Sequence, residues 1–421
     1  MTKKPGNSKY VKKFNRMTVL NVIKDYEPVS RHQLSEQTGL TPPAITGIVR
    51  ELIDLGFVKE VGLGTSKGGR RPIKLKFNCK AGNVIGIEVT SREAVLSVAD
   101  LKNIPTAIQA IGVNMSEPEL GVQHLVSAVR NLMDKKHHDK KFLGIGLAFP
   151  GLLNVKEGMV RRSINLGPQW NGFPVKQALE TELNLPVFIE NNSNASVLAE
   201  RWFGAGVSCK DLVYINLGEG ISAGIIIADQ ILQGYQGYAG EIGHIVVVED
   251  GALCNCGNRG CLEAICGIPA VVGKAKSELP LIDQEDPLKK IWQDKGEITI
   301  DDILKSAARG IGYAADLIDQ VGRNVGLVTA NLINVYNPEV VFLGGKMAVD
   351  TAEFMNRIRE TVNTHAFPEV AAATKIRVSA LGRNSASIGA CALALKGLFQ
   401  SSNSMLLEDA DVLTGDAAAK S

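Results

Sequence analysis

The chain has 421 residues, 45% hydrophobic and 21% charged, enough to bury more than one core. No stretch approaches the roughly 20 uninterrupted apolar residues of a membrane helix. The basic, polar start also lacks the apolar run of a signal peptide, so the expectation is a soluble, cytoplasmic protein with no membrane partner. The net charge of +2 hides an asymmetry: residues 1–80 hold 16 Lys and Arg against 6 Asp and Glu, +10 there and −8 in the remainder. One end is suited to an anionic partner. Seven cysteines is an odd number for a secreted disulfide framework. Cys79, Cys209, Cys266 and Cys391 are scattered singly, as ordinary buried thiols would be, whereas the cluster GALCNCGNRGC at 251–261 asks for a metal rather than a crosslink.

In FNRMTVLNVIKDY, Val19, Leu20 and Ile23 stand at helical spacing and predict an amphipathic helix over Phe14 to Asp25. In SRHQLSEQTGL, Ser30 and Gln33 form a capping box that opens a short second helix, and Gly39 can close it in a left-handed turn. A third helix begins at TPPAITGIVRELIDLGF, with Thr41 at the N-cap and Pro42 at the first helical position. Ile45, Val49 and Leu52 face inward there, leaving Thr46 and Arg50 outward. The strand FVKEVGL, the basic tip GTSKGGRRP and the return strand IKLKF complete a winged helix-turn-helix. Pro42, Pro43, Ala44, Thr46 and Arg50 of the third helix would meet a major groove. Ser66, Lys67, Arg70 and Arg71 of the wing would follow phosphates or enter a minor groove. The same fold can also dock proteins; the charge balance and basic wing favour double-stranded DNA.

From residue 82 the chain turns to apolar strands separated by glycine turns and helices: NVIGIEV, FLGIGLAFPG, VFIENN, DLVYINLG, AGIIIAD and VVFLGG. Near-continuous apolar runs predict sheets covered on both faces, hence α/β lobes. Two related halves are expected, because IGIEV and LVYINLGEGISAGIIIAD each offer a strand, a turn and a second strand.

GIGLAFPG, NLGPQW, ENNSN, GYAGEIGH, CNCGNRGCLE and NPEVVFLGG occur here in an order that resembles the ROK family of sugar kinases and sugar-responsive repressors. The resemblance covers residues 10–398 and implies an actin-like two-lobed sugar-kinase fold preceded by the winged helix-turn-helix. The layout it implies is a DNA-binding domain over 1–80, a first lobe over 81–200 and a second lobe over 201–398. The C-terminal helix of the second lobe can return to the first, and residues 399–421 are expected to be a flexible acidic tail. The resemblance also implies that His244, Cys254, Cys256 and Cys261 hold one structural zinc ion, although C-x-C-x4-C departs from the commonest zinc spacings. Positions matching the family's sugar contacts are Asn165, Asn191, Asn192, Glu241, His244 and Glu263. Singly each would read as a cap or loop residue.

A kinase of this family carries an aspartate base directly after the asparagine of E-N-D; here that position is Asn192, an amide with no basic lone pair to take a proton. Its first phosphate turn is glycine-rich, where this chain has Glu88, Val89, Thr90, Ser91 and Arg92. Its second carries threonine where Glu219 stands. The expectation is therefore no enzyme but a repressor, similar to the xylose and N-acetylglucosamine repressors, that binds a palindromic operator as a homodimer or dimer of dimers and is released by a sugar. A repressor controlled by a protein partner and a kinase with an accessory DNA-binding domain are the alternatives. The segment GKAKSELPLIDQEDPLKKIWQDKGEITIDD reads as charged and proline-broken, and the helix after it as lobe packing through Val328, Leu332 and Val335.

Overall fold

A carboxylate between two cations organises the start of the chain. Helices α1 (Ser8–Tyr26), α2 (Arg31–Thr38) and α3 (Pro42–Asp54) surround an apolar centre that includes Leu20, Ile23, Leu34, Ile45 and Leu52. Arg16 of α1, nearly sealed from solvent, pairs with Glu51 of α3, and Lys12 reaches the same carboxylate at 3.1 Å. Burial alone would raise the Glu51 carboxyl, but the two cations outweigh it and hold the group below its ordinary range. The capping box at α2 is formed: Gln33 N donates to Ser30 Oγ (3.3 Å) and Ser30 N to Gln33 Oε1 (3.0 Å), and Gly39 closes the helix at φ 69°. Helix α1 starts six residues before Phe14, and Thr41 caps α3 by its extended backbone without a side-chain bond. Strands β1 (Val29–Ser30), β2 (Val58–Leu63) and β3 (Ile73–Phe77) pair in the order β1-β3-β2, the sheet of a winged helix. The computed structural model describes residues 8–63, 71–105, 107–136, 140–163, 165–310, 312–348 and 351–400.

The body holds two five-stranded sheets of one topology. In the first, β4 (Asn83–Val89), β5 (Glu93–Asp100) and β6 (Ala107–Gly112) form an antiparallel meander. After helix α4 (Pro118–Asn131), β7 (Phe142–Phe149) joins β4 in parallel. A small hairpin, β8 (Leu152–Asn154) and β9 (Met159–Arg162), and helix α5 (Val175–Leu183) lead to β10 (Val187–Asn191), parallel to β7. Helix α6 (Asn192–Phe203) follows. In the second sheet β11 (Leu212–Leu217), β12 (Ile221–Ile227) and β13 (Gln230–Ile231) repeat the meander. Helices α7 (Leu262–Cys266), α8 (Ile268–Glu278), α9 (Pro287–Lys295), α10 (Ile300–Ala307) and α11 (Tyr313–Tyr336) precede β14 (Val340–Gly344). Then α12 (Ala352–His365) and α13 (Pro368–Ala373) precede β15 (Lys375–Val378), and α14 (Ser385–Gln400) ends the described chain.

The two sheets exchange their last helices. Helix α6 follows the first sheet but packs on β11 and β12 of the second; α14 follows the second but packs on β4, β7 and β10 of the first. The pair also cross each other, and glycines set the approach. A Cβ on Gly389 of α14 would lie 1.7 Å from Ala195 O of α6, and one on Gly146 of β7 would lie 1.7 Å from Ala390 O. On Gly224 of β12 it would lie 2.1 Å from Ser193 O. Backbone meets backbone here, so no side chain can yield.

Three expectations change. The segment expected to be broken forms α8, α9 and α10, because Asp286 and the Thr299–Asp302 capping box restart helices after the prolines and glycine. On α11, Val328 and Leu332 are buried, but Val335, at 71% exposure, has turned outward near the helix end. Cys266 and Cys391 are buried, whereas Cys79 and Cys209 are only partly so. Among the described residues no helix is long and apolar enough to cross a membrane.

Gly389→Ala should destabilise the body by about 1–3 kcal/mol or more, the cost of overpacking a site that cannot relax. A urea midpoint unchanged from wild type would contradict the glycine-set crossing.

Candidate functional site

Helix α3 presents a polar face because its apolar residues, Ile45, Ile48, Val49 and Leu52, all turn inward. Pro42, Pro43, Ala44, Thr46 and Arg50 are all exposed, and Thr46 Oγ1 donates to Pro42 O at 2.9 Å. Arg71, at the foot of the wing, is exposed; Ser66, Lys67 and Arg70 lie outside the described residues. The tail expected over 399–421 is described only through residue 400.

A second set of polar side chains gathers where the two sheets face each other. Glu263, in the first turn of α7, accepts from Ile221 N at 2.9 Å, and its Oε2 and Asn165 Nδ2 flank Gly220, whose missing side chain leaves them room. Glu241 lies beside His244, with Oε2 4.0 Å from Nε2. Burial raises the Glu241 carboxyl, the His244 ring opposes the rise, and the charge of Glu263 adds to it. Asn165, Glu241, His244 and Glu263 thus form one group. Asn191 and Asn192 stand at the start of α6, where the next residue, Ser193, meets Ser222 of β12 through their Oγ atoms at 2.6 Å. Asn191 caps α6, accepting from Ser193 N at 2.9 Å and donating to Gly151 O at 3.2 Å. Asn192 donates to Val89 O at 3.1 Å, while its Oδ1 is sealed without a donor.

Sequence reasoning missed Glu190. Its Oε1 accepts from Asn191 N (2.9 Å) and Asn194 Nδ2 (3.1 Å), and its Oε2 accepts from Gln233 Nε2 of the second half (3.3 Å). One buried carboxylate therefore ties the asparagine turn to the loop leading to Glu241. The only signal was its place at the head of ENNSN.

The turns that would cradle phosphates are otherwise engaged. Thr90 Oγ1 accepts from the backbone N–H groups of Arg92 (3.4 Å) and Glu93 (3.1 Å), so these amides already have partners. Ser91 Oγ donates to Glu219 Oε2 at 3.3 Å, which joins the two turns directly.

His244, Cys254, Cys256 and Cys261 converge, their ligand atoms all within 4.8 Å of one another. Cys254 Sγ lies 3.7 Å from His244 Nδ1, and Cys256 Sγ lies 3.7 Å from Cys261 Sγ. A tetrahedral ion with metal–sulfur bonds of about 2.3 Å needs an edge of about 3.8 Å between sulfurs. Burial and the neighbouring sulfurs push the Cys261 thiol up to about 12, so three thiolates this close call for a cation. The set can hold a metal ion through Nδ1, leaving Nε2 on the side of Glu241.

The profile of the ROK family matches residues 84–397. A xylose repressor from Caldicellulosiruptor bescii is 31% identical, covering 93% of this chain and 98% of the relative. The crystal structure of a ROK family transcriptional regulator, a homologue of the Escherichia coli MLC protein, superposes with a TM-score of 0.81 at 26% identity, covering 95% of this chain and 99% of the other. A ROK family glucokinase from Streptomyces griseus, solved with glucose and AMPPNP, superposes with a TM-score of 0.68 at 27% identity, covering 75% of this chain and all of the enzyme.

Burial pushes the Glu88 carboxyl up to about 7, against a backbone hydrogen bond from Ser387 and with the charge of Glu93 adding to the rise. An acid that binds its proton more tightly when folded contributes stability fully below its unfolded pKa of 4.5 and loses it as pH rises through about 7. Glu88→Gln should therefore match wild type near pH 4.5 and exceed it at pH 8, by as much as about 3 kcal/mol. Urea unfolding at both values checks this; an equal offset at both would contradict it.

Proposed function

Because the chain belongs to the ROK family, we propose that it is a sugar-responsive transcriptional repressor of carbohydrate-utilisation genes whose kinase-like body binds sugar without phosphorylating it. The observation that carries this reading is Asn192. Its amide holds Val89 O at the place where a kinase of this family has a carboxylate base, in a body joined to a winged helix with an exposed recognition face. Without the family's base at that position, and with the amides beside Thr90 already bonded, the site keeps the groups that hydrogen-bond hydroxyls and lacks those that would pass one a phosphate.

Two heads of a homodimer would place each α3 in a major groove of a palindromic operator, Pro42 to Thr46 toward base edges and Arg50 and Arg71 toward phosphates. A sugar held by Asn165, Asn191, Asn192, Glu241, His244 and Glu263 would favour one angle between the sheets and weaken DNA binding by its unequal affinity for the two arrangements. The metal is zinc by its donor set of three sulfurs and one imidazole. All four positions are taken by protein, so its part is structural: it fixes the loop that carries Glu241 to the start of α7 that carries Glu263.

The test is a gel shift on the DNA upstream of the protein's own gene, repeated with xylose, glucose and N-acetylglucosamine. Release by one sugar is expected; tight binding that none alters would contradict sugar control. Replacing Arg70 and Arg71 by alanine should lower the slope of log affinity against log salt by about 1 per lost phosphate contact. An unchanged slope removes the wing from the interface. Elemental analysis of protein purified without chelator should find one zinc per chain, and Cys256→Ser should release it and abolish the sugar response before DNA binding. Zinc-free wild type would overturn the assignment.

A further inference from the structure

The head is seated on the body through the far ends of the two exchanged helices. Trp202 stands one residue from the end of α6 and Phe399 one residue from the end of α14. Lys24 of α1 places its Nζ 5.7 Å from the centre of the Trp202 ring and 5.0 Å from that of Phe399. One turn earlier on α1, Asn21 Nδ2 donates to Phe399 O at 3.1 Å. From the wing side, Phe77 of β3 meets the Phe399 ring edge-on at 5.8 Å. The apolar core of the head runs without a break into Ala394, Leu395, Leu398 and Phe399, with Val84, Ala99 and Leu101 of the first sheet alongside. The head is therefore not tethered by a free linker; it shares its core with α14.

The opposite end of α6 lies at the ligand cleft, and that of α14 beside Glu88, next to the Val89 carbonyl that Asn192 holds. Asn191 caps α6 and Asn192 opens it. At the start of α14, Ser387 Oγ bonds Ser97 Oγ at 2.8 Å, and the backbone of Ser387 hydrogen-bonds Glu88. Helix α14 has 16 residues, and at 1.5 Å per residue it spans about 24 Å from that end to the head. Because glycine contacts fix it against α6 and β7, a displacement at one end is carried to the other rather than absorbed.

We propose that Lys24 and Asn21 are positioning residues that clamp the DNA-binding head to the ends of α6 and α14, so that the head's orientation follows the angle between the sheets. A cation over two rings is held by direction as well as proximity, since each ring face is its negative region. Asn21 Oδ1 is sealed from solvent without a donor, a cost that a second seating of the helix end can relieve. Neither residue belongs to the ligand cleft or to the exposed face of α3. The inference rests on the proposed sugar-responsive DNA binding and adds the residues that connect its two sites.

Wild type, Lys24→Met, Lys24→Arg and Asn21→Ala are compared by gel shift on DNA upstream of the gene, without sugar and with saturating xylose, glucose or N-acetylglucosamine. Calorimetry measures sugar affinity in parallel. The readout is the ratio of operator affinities without and with sugar. In Lys24→Met and Asn21→Ala this ratio should fall at least about fivefold toward one while sugar affinity stays within about twofold. Lys24→Arg, which keeps a cation over the rings, should retain the wild-type ratio. An unchanged ratio in both variants would overturn the clamp. So would loss of operator binding in both states, which would make Lys24 a support of the head's own fold, or loss of sugar affinity, which would make it a support of the body. A wild type released by no sugar would instead sink the functional reading, and the clamp with it.

Discussion

Everything in this structure depends on the crossing of α6 and α14 between the sheets. Each helix belongs in sequence to one sheet and in packing to the other; their backbones approach closely enough that Gly389 admits no side chain, and Gly146 and Gly224 bring the strands beneath them equally close. The two halves therefore cannot separate without unpacking the pair. The motion left to them is a change of angle about it. A polar seam follows the same axis. Tyr214, whose hydroxyl burial pushes up to about 12, contacts Ser196 of α6 and Ser385 of α14, and Ser379 Oγ donates to Glu200 at 2.5 Å. Buried polar groups of this kind must be paired, which makes such a seam intolerant of intermediate arrangements. That favours a small number of discrete angles.

The proposed ligand cleft uses this geometry. Its two banks are set by different means: the asparagine bank by the cap of a helix, the carboxylate bank by irregular loops with little core of their own. Glu190 bridges them through Gln233, and the cluster of His244 with three cysteines stiffens the loop side. Where a phosphate-transferring relative needs free amides, this chain has a turn closed on itself by Thr90 and a direct contact between Ser91 and Glu219.

Much of this was legible in the residues. The head could be read from local signals, because a capping box, a proline at the first helical position and inward spacing of Ile45, Val49 and Leu52 act within a few residues. The convergence of His244 with the three cysteines was legible because these residues lie close in sequence. What could not be read was made by contacts between distant segments. The return of α14 to the first sheet was expected, but the packing of α6 on the second sheet and its crossing with α14, far later in the chain, was not. Lys24, read as one more cation of a basic end, meets Trp202 and Phe399 only in the folded chain. Val335 kept the helical spacing of its buried neighbours yet faces solvent, because periodicity marks a face but not where the covering elements stop.

In the proposed repressor, sugar and operator compete through one shared equilibrium between two arrangements of the body. Titration calorimetry of the effector sugar into the free protein and into its operator complex tests it most directly. Linkage requires that sugar bind the complex more weakly, by the same factor by which it weakens operator binding. Equal sugar affinity in the free and operator-bound protein would contradict the claim, whatever else the cleft binds.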